Sequence, residues 1–69
     1  MHLQTMVWKE DRTYVIKETF TGVTTQGKTI EEAIKNIKEA VGLYLEEMPG
    51  ARKQMNKMKA IGAVNVEIA

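Results

Sequence analysis

Residues 24–48 read TTQGKTIEEAIKNIKEAVGLYLEEM, and the fold turns on a change of period inside them. From Thr29 onward Ile30, Ala33, Ile34, Ile37, Ala40, Val41, Tyr44, Leu45 and Met48 recur at the spacing of about 3.6 that lines one side of a helix. The opposite side carries Glu31, Lys35, Lys38 and Glu39. Thr29 with Glu32 three positions later predicts a reciprocal cap, in which each side chain satisfies the other residue's backbone N–H. Glu31 and Glu32 also place negative charge at the positive end of the helix. Gly27 is expected to turn the chain sharply through a backbone conformation costly for residues with a Cβ. The GKT triplet lacks the glycine spacing of a phosphate-binding loop, so the junction is read as a strand-to-helix turn.

Upstream, Leu3–Lys9 and Thr13–Glu18 are rich in Thr, Val, Tyr, Trp and Ile and are separated by a few polar residues, which predicts an antiparallel hairpin. Neither face of Thr13–Glu18 is purely apolar. Gly22 precedes a third short strand candidate, Val23–Gln26, and is positioned for a bend or bulge. Downstream, Pro49-Gly50 stops the long helix. Ala51, Met55, Met58 and Gly62 share a face compatible with one or two further turns. The closing Val64-Asn65-Val66-Glu67-Ile68 alternates cleanly and predicts a strand returning beside the first.

The order strand, strand, strand, long helix, short helix or loop, strand defines an α+β class with one helix on one face of a mostly antiparallel sheet. At 69 residues the chain is read as one domain, 1–69, with a thin core, for which self-association as a homodimer or higher homo-oligomer is expected. No appended DNA-binding module is expected after Ile68, and no direct DNA binding is expected. Ten basic and nine acidic side chains leave a formal charge of +1, too little to imply nucleic-acid or membrane binding by itself. Absence of Cys, of a signal-like start and of any long apolar run leads us to expect a cytoplasmic protein.

No catalytic constellation is visible. His2 is the only histidine, Ser is absent, and Asp11, Glu18, Glu31 and Glu32 do not form a paired-carboxylate pattern, so neither an enzyme nor a metal or cofactor site is expected. Trp8, Tyr14 and Phe20 suit core closure or a protein interface, with stacking on RNA bases as the alternative. Arg52, Lys53, Lys57 and Lys59 form the one compact basic patch, a solvated helix face unless a protein or RNA phosphates meet it. Candidate interface residues are therefore Trp8, Lys9, Arg12, Tyr14, Lys17, Arg52, Lys53 and Lys57. Gly22, Gly27, Thr29 and Glu32 are read as structural.

The segment from Tyr14 to Glu47 resembles the HicB antitoxin family, in its small stand-alone form. The resemblance is carried by Gly22, Thr25-Gln26-Gly27, Thr29, Glu32-Ala33, Asn36, Glu39-Ala40 and Leu43-Tyr44-Leu45. It implies a βββαβ arrangement like part of an RNase H fold, no catalysis, and inhibition of a small HicA-like mRNA-cleaving toxin by covering its cleaving face. Polar residues of the hairpin, including Lys9, Arg12 and Lys17, together with the basic patch, would then contact the toxin. The bend ETFTGV lacks the Pro and Cys of the common family version, and operator binding is not carried over. The alternatives are a small RNA-binding module using Trp8, Tyr14 and the basic patch, and an oligomeric interaction scaffold.

Overall fold

A computed structural model describes residues 1–69. Three strands, β1 (Thr5–Glu10), β2 (Thr13–Glu18) and β3 (Thr24–Gly27), are followed by helices α1 (Ile30–Glu47) and α2 (Pro49–Lys57). The sheet is an antiparallel meander in the order β1-β2-β3.

Strands β1 and β2 pair from Thr5 opposite Glu18 to Glu10 opposite Thr13, leaving Asp11 and Arg12 as a two-residue turn. Asp11 takes φ +52°, a conformation that Asp tolerates better than most side chains. That tolerance closes a tight hairpin without Gly or Asn.

Between β2 and β3 the chain bends through Thr19–Val23, with Gly22 at φ +77° as the glycine there was expected to allow. The Glu18 carboxylate organises this bend. Its oxygens accept hydrogen bonds from the backbone N–H of Phe20 at 2.8 Å and of Thr21 at 2.6 Å, while the Glu18 carbonyl accepts from the Gly22 N–H at 3.0 Å. Glu18 is fully buried, so these bonds are what make a carboxylate tolerable there.

Thr29 caps α1 by accepting from the Glu32 N–H at 3.1 Å. Only this half of the expected reciprocal pair forms. Gly27 is needed for a different reason from the one its sequence context suggests, because its φ is not positive. A Cβ at this position would lie 2.6 Å from the Ala33 nitrogen and 2.9 Å from the Glu32 Cβ. The glycine therefore lets the end of β3 press against the first turn of α1.

Helix α1 packs on β3 and β2 and does not reach β1. Ile16, Ala33, Ile37 and Val41 form the core, with Leu3, Tyr14, Val23 and Leu45 against it. Burying Ile16 and Ile37 stabilises the fold by about 1.5–3 kcal/mol for each side chain. Two further bonds fasten the layers: Thr25 Oγ1 donates to the Ala33 carbonyl at 3.2 Å, and Asn36 Nδ2 donates to the Gln26 carbonyl at 2.9 Å. Because the helix is offset toward β3, Ile30 and Ile34 stay well exposed although they belong to the apolar stripe.

The C-terminal part keeps one expectation, a short helix after the stop at Pro49, and departs from another. Pro49 ends α1 and also opens α2, where its missing N–H costs nothing in the first turn. Met48 is the joint: its N–H donates to the Tyr44 carbonyl and its own carbonyl accepts from the Ala51 N–H, each at 2.9 Å. The expected fourth strand is absent. Residues 58–69 contain neither helix nor strand, and Val64, Val66 and Ile68 are exposed. Alternation supplies a strand-forming pattern, but a strand also needs a partner edge, and this tail takes none on its own sheet. The observed order is therefore βββαα.

Candidate functional site

Side chains directly opposite one another in antiparallel register share a face, so the pairing sorts the strand residues unambiguously. The face toward α1 carries Thr5, Val7 and Lys9 of β1, Tyr14, Ile16 and Glu18 of β2, and Thr25 and Gly27 of β3. The other face carries Met6, Trp8 and Glu10, then Thr13, Val15 and Lys17, then Thr24 and Gln26. No helix packs on this second face.

Its centre is the cross-strand pair Trp8–Val15, with Gln26 beside Val15 on β3. Val15 is only 6% exposed although it lies outside the helix-side core. With no element above it, its cover comes from neighbouring side chains, and Trp8 directly opposite is the largest of them. The Trp8 indole is half-buried and donates from Nε1 to Glu10 Oε1 at 3.0 Å. This bond holds one edge of the ring along β1. Met6 lies beside it, 59% exposed, and pairs in register with Lys17. The open face thus has an aromatic and aliphatic centre, one acid and one base, and a polar margin of Thr13, Thr24 and Gln26.

The candidate residues named from sequence do not form one surface. Trp8 and Lys17 lie on the open face, whereas Lys9 and Tyr14 pair across the helix-side face. There the Lys9 ammonium sits 5.4 Å from the centre of the Tyr14 ring, a cation–π arrangement. Arg12 occupies the hairpin turn. Arg52, Lys53 and Lys57 are on α2, which packs against α1 alone. Their patch is separate from the open face. Phe20 belongs to the β2–β3 bend rather than to either strand row, and His2 is exposed ahead of β1.

Glu18 is the one residue with a distinctive electrostatic environment. Burial pushes its carboxyl up, but hydrogen bonds from the Phe20 and Thr21 backbones and the Thr21 side chain outweigh this and hold it below the usual range. Its role is to shape the bend, a role signalled only weakly in the sequence by Gly22 four positions later. Sequence reading also missed the cover over Val15, because the mixed character of β2 conceals that both of its faces bury an aliphatic residue.

No three His, Cys, Asp or Glu side chains converge as a metal site. Every buried side-chain nitrogen and oxygen has a hydrogen-bond partner. No helix is long and apolar enough to cross a membrane.

Fold and surface together describe a small α+β domain with a three-stranded antiparallel sheet, one face under a helix and the other open. The chain belongs to a family of unknown function, DUF7387, whose model matches residues 3–67. No curated protein and no solved structure matches it.

Proposed function

We propose that this protein is a non-catalytic, HicB-like antitoxin that binds a small HicA-like mRNA-cleaving toxin and blocks it by steric occlusion. The observation that carries the protein-binding part is the uncovered sheet face centred on Trp8 and Val15. A half-buried tryptophan flanked by an exposed methionine and ringed by polar residues has the composition of a protein-binding centre, where one or two anchors supply most of the affinity. Its single acid and single base give no excess positive charge on that face, which favours a protein over an RNA backbone.

Support for the antitoxin assignment is the HicB resemblance. Several residues that carry it meet at one place: Thr25 and Asn36 bond across the β3–α1 junction, Gly27 permits its close approach, and Thr29 caps the helix. These positions hold the sheet under the helix and leave the other face free. Occlusion then needs only a complementary surface large enough to keep RNA out of the toxin's cleft.

Copurification from the native cell, followed by an RNA-cleavage assay on any small partner recovered, tests the reading. A toxin whose cleavage is suppressed by this protein and restored when Trp8→Ala is used instead is the expected result. Recovery of RNA rather than protein, or suppression unaffected by Trp8→Ala and Val15→Asp, would overturn it.

A further inference from the structure

The edge of β1 away from β2 has no neighbour in the sheet. Because α1 stops short of β1, the helix-side face beside this edge is also open, and Val7 there is 41% exposed. A groove of about 620 Å³ runs between the start of β1 and α1, lined by Leu3, Ile34, Ile37, Val41 and Leu45 among others. Its walls are continuous with the core. The groove is the flank that a fourth strand beside β1 would close.

The same chain holds a segment with the right pattern and no partner. Val64, Val66 and Ile68 are 85%, 75% and 93% exposed, alternating with Asn65 and Glu67. Laid along β1, such a strand puts three β-branched side chains toward the groove and its polar pair toward the open face. The family match runs through Glu67, so the tail belongs to the unit that the family shares. Within a single chain, however, Met58–Ala60 lie beside Met1, His2 and Gln4, residues 64–68 are exposed, and no backbone hydrogen bond joins the tail to the sheet.

The surface area points to what covers the groove. The chain exposes 5888 Å². A compact monomer of its 7.8 kDa mass exposes roughly 4,400 Å² by the usual scaling of area with mass. The excess of about 1,500 Å² is what an unpacked tail and an open groove leave exposed, and it is more than the roughly 800 Å² that each partner contributes to a standard interface.

We propose that two copies of this chain exchange their tails, residues 64–68 of each adding as a fourth strand along the free β1 edge of the other and closing its groove. Each copy both donates and accepts, so the assembly is a closed, two-fold dimer rather than a chain of subunits. The proposal is independent of what binds the open face.

Sedimentation equilibrium at micromolar concentration, with amide exchange read residue by residue, tests it. The wild-type chain is expected at twice its monomer mass, with the amides of residues 64–68 and the outward amides of β1 protected. Val66→Asp, and separately removal of residues 64–69, should give a monomer with an unchanged helical circular dichroism signal, which shows that the body remains folded. Ile34→Lys, on the groove wall rather than the tail, should weaken the dimer at least tenfold. A wild-type monomer overturns the proposal, whether its tail is unprotected or closes the groove of its own chain. So does a dimer that survives both tail changes.

Discussion

A methyl group added to Gly27 would lie 2.6 Å from the backbone nitrogen of Ala33. Both sides of this approach are backbone or first-turn atoms of the element junction, so neither can swing away. Gly27→Ala is expected to destabilise the protein by about 1–3 kcal/mol through overpacking, a loss visible as a lower thermal midpoint. Gly42→Ala has nothing within 4 Å of the added methyl and lies inside α1, so it should raise stability by about 0.5–1 kcal/mol. Opposite signs from one chemical change would establish that Gly27 is kept for space.

The Asn36 amide bridges α1 to the Gln26 carbonyl on β3. Asn36→Asp keeps the shape but replaces the donor with an acceptor facing another acceptor. A loss of about 1 kcal/mol is expected at neutral pH. The deficit relative to wild type should shrink as the introduced carboxyl is protonated and can donate again. Denaturant titrations at pH 7 and at acid pH measure both parts; a deficit independent of pH would show that the bridge contributes little.

Glu18 contributes a pH dependence of determined sign. Its folded-state pKa lies below its unfolded value, so the unfolded chain binds a proton more readily and stability rises with pH across that interval. The contribution is fully present above the unfolded carboxyl range, near pH 4.3, and is lost as pH falls through the folded value. Glu18→Gln is expected to be less stable at neutral pH by about 1–3 kcal/mol and to have a shallower acid limb. Equal acid limbs for the two proteins would assign the acid transition to other carboxylates.

The offset of α1 makes two isoleucines on the same stripe unequal. Ile37 is 2% exposed in the core cluster, while Ile34 is 38% exposed on the groove wall. Ile37→Ala should cost about 2–5 kcal/mol, against a total of about 3–10 kcal/mol for a domain of this size. Ile34→Ala should cost less than half as much in the monomer. Chemical denaturation of a monomeric, tail-deleted chain gives the comparison without interference from association.

The long helix was legible from Ile30 to Met48 because a period of about 3.6 sustained over five turns has no competing interpretation. Strand β2 was legible to its ends, and Thr29 announced its cap. The hairpin turn was less so, since Asp11 at φ +52° uses a tolerance of Asp rather than the usual Asn-Gly signal. Pro49 reads as a stop and is also a start, because the ring that cannot continue one helix is suited to the first turn of the next. Periodicity identified the apolar side of α1 but not how far across the sheet the helix sits, which is why Ile30 and Ile34 stand more exposed than their stripe implies. The tail shows the same boundary in another form: alternation at Val64–Ile68 specifies a strand-competent segment, while its pairing depends on an edge far away in sequence. On the open face, Trp8 stands out in the sequence as an aromatic, but its register with Val15 follows only from the pairing of β1 with β2.

Placing α1 over two strands of three also sets the order in which the molecule loosens. Strand β2 has neighbours on both sides and a helix above it, β3 has a helix and one neighbour, and β1 in an isolated chain has one neighbour alone. Thermal fluctuations should therefore peel the sheet from the β1 side while the β2–β3–α1 junction stays intact, giving a graded rather than uniform resistance to local opening. In an isolated chain a pulling force would find its first foothold within the sheet at the N-terminal strand, whereas a protease would cut first in the exposed tail, residues 58–69.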